Sequence, residues 1–149
     1  YGRTAHSLAY MLAKFSNVRL VFVSPPQLRM RDDIKEYLTR KKVWWCEESR
    51  LDSILPDADI VYWTRLQKER LPTDLQQEFS EIQSDFIITP DKVSKMKPTA
   101  RILHPLPRTQ EIPCEIDDDP RAAYFRQVEN GLWMRRTLLE WVLNDPDNL

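Results

Sequence analysis

Four short apolar segments recur at intervals that a helix can fill: VRLVFV at 18–23, VWWCEE at 43–48, ADIVYW at 58–63, and ARILH, read as a strand over 101–104. Ahead of them Leu8, Met11, Leu12 and Phe15 fall at i, i+3, i+4 and i+7, predicting a helix over 4–15, and Ile34, Tyr37 and Leu38 predict a second over 31–41. Alternation of strand and helix implies parallel pairing, because each crossover is made by a helix packed on the sheet. The expected fold is therefore α/β, a three-layer doubly wound parallel sheet, with residues 1–149 forming one domain. ADIVYW is continuous rather than alternating, so it is expected to be covered on both faces. In such sheets the strand before the first helix commonly lies at the centre, yet this chain opens on a helix. The reading therefore expects the sheet to lack its first, central strand.

The remaining segments fit the same plan. The two tryptophans of VWWCEE are expected on opposite faces. LDSIL marks a helical turn, residues 71–85 form a long polar connection with some helix, and FII at 86–88 is a candidate short strand. Thr89 and Pro90 supply a cap and first-turn pair for a helix through Met96. Asp119 and Pro120 repeat that device before a closing helix on which Met134, Leu138, Trp141 and Val142 share one face.

Composition removes several classes of function. With 22 Lys plus Arg against 23 Asp plus Glu, the net charge of -1 offers no general attraction to nucleic acid or an anionic membrane. Glycine occurs only at Gly2 and Gly131, which leaves no glycine-rich phosphate cradle. Cys46 and Cys114 have no metal-ligand spacing, so a zinc site and a disulfide framework are not expected. The opening residues have no signal-peptide pattern and no apolar run approaches membrane-spanning length, so a cytoplasmic protein is expected.

Charge is instead concentrated locally. YGRTAHS precedes the first helix, TRLQKER follows ADIVYW, and HPLPR follows the ARILH strand. If the strands are parallel, all three lie at the carboxyl edge where open α/β sheets collect ligands. This would gather Arg3, Arg65, Gln67, Lys68, Arg70 and Arg108 with the carbonyls of Pro105 and Leu106. Guanidinium forks suit carboxylates, and carbonyls accept hydrogen bonds from an amine, so the site is one for a small acidic amine. An arginine-rich loop of this spacing is usually a solvated surface with weak ion pairs. His6 and His104 read as structural hydrogen-bonding residues ahead of general bases. The run Asp117–Asp119 reads as capping rather than as a metal cluster.

The blocks YGRTAHSL, TRLQKER, ITP, HPLPRTQEI and DDDPRAAYFRQVENG, in this order, resemble those of the aspartate carbamoyltransferase family, over nearly the whole chain. The resemblance implies the Rossmann-like, C-terminal, aspartate-binding domain of an enzyme that joins carbamoyl phosphate to L-aspartate in pyrimidine synthesis. HPLP in place of HCLP, and TRLQKER in place of a serine-methionine-glycine motif, favour aspartate over ornithine. Position by position, Arg3 resembles the ligand of the α-carboxylate, Arg65 that of the side-chain carboxylate, and Gln67 a residue near the amine. The carbonyls of Pro105 and Leu106 match acceptors that orient the amine, with a cis bond between Leu106 and Pro107. Lys68, Glu69 and Arg70 match residues that support Arg65 from behind.

The resemblance implies no metal and no organic cofactor. It implies a homotrimer of longer chains, with a regulatory subunit or fused pathway domains left open. The S-x-R-T-R and HPxQ motifs that hold carbamoyl phosphate in the family do not occur in these residues. The 149-residue chain is therefore expected to be inactive alone. The alternatives are a noncatalytic protein that binds aspartate or another subunit, and, more weakly, an ornithine carbamoyltransferase.

Overall fold

The computed structural model describes residues 2–66 and 79–144. Its elements run in the order α1 (Arg3–Leu12), β1 (Arg19–Val23), α2 (Asp32–Arg40), β2 (Trp44–Glu48), β3 (Ile60–Tyr62), α3 (Phe79–Asp85), α4 (Pro90–Ser94), β4 (Arg101–Leu103) and α5 (Tyr124–Asn144). All strand pairing is parallel, β1 with β2 from Arg19↔Trp44 to Val23↔Glu48, and β3 with β4 from Ile60↔Arg101 to Tyr62↔Leu103. The α/β class is as expected. The expected single sheet is instead two two-stranded sheets, since β1 and β3 share no ladder among the described residues.

Two apolar clusters hold these sheets. In the first, Ile34 and Leu38, one turn apart on α2, are buried with Ala9 of α1 against Leu20, Phe22 and Trp45. Fully burying an Ile or Leu is worth about 1.5–3 kcal/mol, so these two positions anchor α2 to its sheet. The face of α1 that packs is Ala5 and Ala9, continued at the same four-residue spacing by Ala13 at its C-cap, whose small side chains let α1 lie close. That corrects the expected face, because Met11 and Phe15 are exposed and α1 ends at Leu12. Trp44 and Trp45 do point apart. Trp45 turns inward with its Nε1 donating to Thr39 Oγ1 at 3.0 Å, and exposed Trp44 carries the Arg19 guanidinium 4.3 Å over its ring.

The larger cluster surrounds β3 and β4 and includes Leu55, Trp63, Ile88, Val93, Ile102, Ile112, Ile116 and Tyr124. Contrary to the two-face expectation, Ile60 at the start of β3 is 63% exposed. Ile88 is buried without forming a strand, and its N–H donates to the Glu111 carbonyl at 2.9 Å. Thr89 does cap α4, accepting from the Lys92 N–H at 3.3 Å, with Pro90 in the first turn. That helix stops at Ser94.

Asp119 is not the cap of the last helix. Its carboxylate accepts from the Arg121 backbone N–H at 2.9 Å and pairs with the Arg121 guanidinium, whose Nη1 also donates to the carbonyls of Val93 and Met96. The side chain is spent closing a local turn, and α5 starts only at Tyr124. Before it starts, residues 121–123 run beside β4, where Ile102 N–H donates to the Arg121 carbonyl at 2.8 Å and Ala123 N–H to the Ile102 carbonyl at 2.9 Å. Beyond Tyr124 the expected apolar face of α5 lies open, with Met134, Leu138, Trp141 and Val142 all exposed. No helix among the described residues is long and apolar enough to cross a membrane.

Candidate functional site

Parallel pairing sends the segments after β1, β3 and β4 out at the carboxyl ends of their strands. Trp63 N–H donates to the Leu103 carbonyl at 2.8 Å, so the chain leaves β3 at Thr64 beside the point where it leaves β4 at His104. Gly2, just ahead of α1, lies against the same edge: a Cβ placed on it would stand 4.0 Å from Thr64 Oγ1. A cavity of about 170 Å³ lies between β1 and β3, lined along its length by Val21, Phe22 and Val23 of β1 and Tyr62 of β3, with Gly2, Ser24, Thr64 and Arg65 at its carboxyl end. The first residue of α1 is Arg3, which is exposed, as is Arg65. Two of the three basic segments thus border one cleft. Gln67, Lys68, Glu69 and Arg70 lie outside the described residues.

The third segment, HPLPR, is held from beneath by a buried polar network. His104 and Glu111 are 1% and 2% exposed. His104 Nε2 stands 3.1 Å from Glu111 Oε1, and His104 Nδ1 accepts the Leu106 N–H at 2.9 Å. Glu111 also accepts from the Thr109 N–H at 3.1 Å and from Thr109 Oγ1 at 2.6 Å, while Gln127 Oε1 of α5 takes the His104 N–H at 3.0 Å. Because Nδ1 is an acceptor, the proton of the neutral ring sits on Nε2 and points at Glu111. Leu106 has φ of 51°, a left-handed conformation that costs a non-glycine residue about 1–2 kcal/mol and needs surroundings that enforce it. The Leu106–Pro107 peptide is cis, as the resemblance implied.

Sequence reasoning identified His104 as a structural hydrogen-bonding residue but not its partner. Glu111 lies seven positions on, across a loop whose return path no periodicity encodes. A signal was present in the pairing of Thr109 with Glu111, since a hydroxyl two residues from a carboxylate can bond it across a turn.

Arg108, grouped with the ligand-binding arginines by spacing, is placed otherwise. Its Nη2 donates to Asp117 Oδ2 at 2.6 Å, its Nη1 bonds Asp117 Oδ1 and the Tyr124 hydroxyl, and its guanidinium lies over the Tyr124 and Phe125 rings. The Arg108 guanidinium holds the Asp117 carboxyl below its ordinary range, and burial together with the bond to Asp117 pushes the Tyr124 phenol up. Arg108 thus ties the HPLPR loop to the start of α5.

The buried pair makes stability depend on pH. Burial pushes His104 below the ordinary imidazole value, an effect that Arg108 reinforces and Glu111 opposes. Burial also works against ionised Glu111, but bonds from Thr109 and the backbone outweigh it and hold the carboxyl below its usual range. Both folded values are depressed, so both contributions are present at neutral pH and lost on acidification, His104 first, below about pH 6.5, and Glu111 below about pH 4.5. Thermal midpoints of the full-length chain are therefore expected to fall from pH 7.5 to pH 5. The fall should be smaller in His104→Gln, and equal falls in both proteins would refute the assignment.

Taken together, the parallel strands, covering helices and Arg65-lined cleft at their carboxyl edge define a Rossmann-like α/β domain. Residues 1–142 match the family described as aspartate/ornithine carbamoyltransferase, Asp/Orn binding domain, and the chain belongs to that family. It is 49% identical over 142 residues to aspartate carbamoyltransferase 1, chloroplastic, of Pisum sativum, covering 95% of this chain and 36% of that protein. The fold matches the catalytic subunit of M. jannaschii aspartate transcarbamoylase with a TM-score of 0.90 at 39% identity, covering 100% of this chain and 47% of that one. It also matches the Trypanosoma cruzi aspartate transcarbamoylase in complex with carbamoyl phosphate and aspartate, with a TM-score of 0.82 at 35% identity, covering 93% of this chain and 46% of that one. The chain spans less than half the length of each of these relatives.

Proposed function

We propose that this chain is the aspartate-binding part of an aspartate carbamoyltransferase, acting in pyrimidine biosynthesis. The observation that carries the proposal is the meeting of the Gly2–Arg3 segment with the Thr64–Arg65 segment at one cleft, beside the end of β4. L-Aspartate is a dianion with a single nucleophilic nitrogen. Arg3 takes its α-carboxylate and Arg65 its side-chain carboxylate, each suited to a bidentate fork. Gln67 and the carbonyls of Pro105 and Leu106 orient the amine, with Lys68, Glu69 and Arg70 behind Arg65.

In the reaction, the neutral amine attacks the carbonyl carbon of carbamoyl phosphate. The new C–N bond gives a tetrahedral intermediate, the C–O bond to phosphate then breaks, and the amine proton is lost. This domain contributes position and charge complementarity rather than a covalent group. No cofactor enters the proposed chemistry. Carbamoyl phosphate is bound by a domain outside residues 1–149, and that part of the chain also supplies a strand for the gap between β1 and β3. A homotrimer of full-length chains in the cytoplasm completes the proposal.

The direct test is an assay of the full-length chain with carbamoyl phosphate and either aspartate or ornithine. Phosphate and N-carbamoyl-L-aspartate are expected with aspartate alone. Transfer to ornithine only would overturn the choice of substrate, and transfer to neither would favour a noncatalytic binding protein.

A further inference from the structure

The buried pair beneath the HPLPR loop has more contacts than packing requires. His104 is gripped at three points: its backbone N–H by Gln127, its Nε2 by Glu111 and its Nδ1 by the Leu106 N–H. Glu111 is fixed in turn by two bonds from Thr109 and, through its carbonyl, by Ile88. The ring can therefore neither rotate nor exchange tautomers without breaking a bond. The group that Nδ1 meets is the Leu106 N–H, in a residue whose left-handed conformation needs enforcement.

We propose that His104 is a positioning residue for the amine nucleophile: its Nδ1, held in place through Glu111, fixes the Leu106 backbone and so sets where the Pro105 and Leu106 carbonyls point. The inference rests on the proposed role of those carbonyls as acceptors for the aspartate amine. His104 itself touches no substrate. Its action passes through one backbone N–H, and protonating the ring at Nδ1 would remove the acceptor that N–H requires.

Two substitutions separate this from a merely structural role. In His104→Asn the amide oxygen falls near the position of Nδ1 and can still accept the Leu106 N–H, while the link to Glu111 is lost. In His104→Gln the longer side chain reaches Glu111 but places no acceptor at the Leu106 N–H. In the full-length chain, His104→Gln is expected to lower kcat/KM for aspartate by about 10²-fold, the scale set by misplacing a reacting group by about 1 Å. His104→Asn should stay within about tenfold of wild type, the worth of one ordinary hydrogen bond. The carbamoyl phosphate KM should be unchanged in both.

Should His104→Gln fail to fold, Thr109→Val loosens the same clamp from its outer end and is expected to lower the same parameter by up to about tenfold. A crystal structure of the His104→Gln variant is expected to show Leu106 displaced from positive φ. Equal aspartate kinetics in the Asn and Gln variants, or an unmoved Leu106, would overturn the positioning role. An inactive wild-type full-length chain would instead sink the proposed function on which the inference rests.

Discussion

Replacing Arg65 by alanine in the full-length chain is expected to lower the aspartate-dependent kcat/KM by about 10²- to 10³-fold while leaving carbamoyl phosphate binding nearly unchanged. Truncating one partner of a desolvated, hydrogen-bonded charge pair costs about 2–5 kcal/mol, and each 1.4 kcal/mol is a factor of ten. Arg65 is exposed at the edge of the cleft rather than part of either apolar cluster, so the fold is expected to survive the change. Arg65→Lys is an informative companion. A point charge keeps the attraction but cannot make two parallel hydrogen bonds to a carboxylate, so an intermediate loss is expected. Steady-state kinetics with each substrate varied in turn, together with far-ultraviolet circular dichroism, checks both halves of the expectation. Unchanged aspartate dependence would remove Arg65 from the site.

The purified 149-residue chain is expected to show no carbamoyl transfer at all. Its sequence contains neither S-x-R-T-R nor HPxQ, the motifs that hold carbamoyl phosphate in the family it resembles. Without a bound electrophile the aspartate amine has nothing to meet, and the advantage of holding two reactants together, about 7–11 kcal/mol of barrier, is lost. Among the described residues β1 and β3 share no ladder with each other, which adds a stability cost, because backbone donors and acceptors removed from water need partners. Phosphate release by the chain, with and without aspartate, is the measurement. Activity should appear only when the remainder of the polypeptide is present. Aspartate-dependent release by the chain alone would refute the division of labour between two domains.

Legibility in the sequence followed physical scale. The four strands were readable because β-branched and aromatic residues in short runs have few other uses, and Thr89 with Pro90 because a cap acts over three residues. The same local logic failed at Asp119, where a nearby guanidinium competed for the carboxylate and won. It failed again on α1, where counting large apolar residues pointed to Met11 and Phe15 although the packed face is alanine. Periodicity measures the pitch of an element, and it is silent about what stands on the other side.

Much the same holds for the candidate site. The basic segments and their placement at strand ends were visible, since parallel pairing alone brings them to one edge. The individual fates of the arginines were not. Arg65 lines the cleft, and Arg108, alike in charge, lies instead against Asp117 and Tyr124 at the start of α5. By itself the sequence determined the α/β class, the family and the edge at which the basic segments gather, because these rest on local pattern and on contiguous motifs. Only the tertiary structure decided which charges are already paired, which apolar faces lie open and how His104 and Glu111 brace the loop beside the cleft. Those depend on contacts between residues whose separation along the chain carries no record of their distance in space.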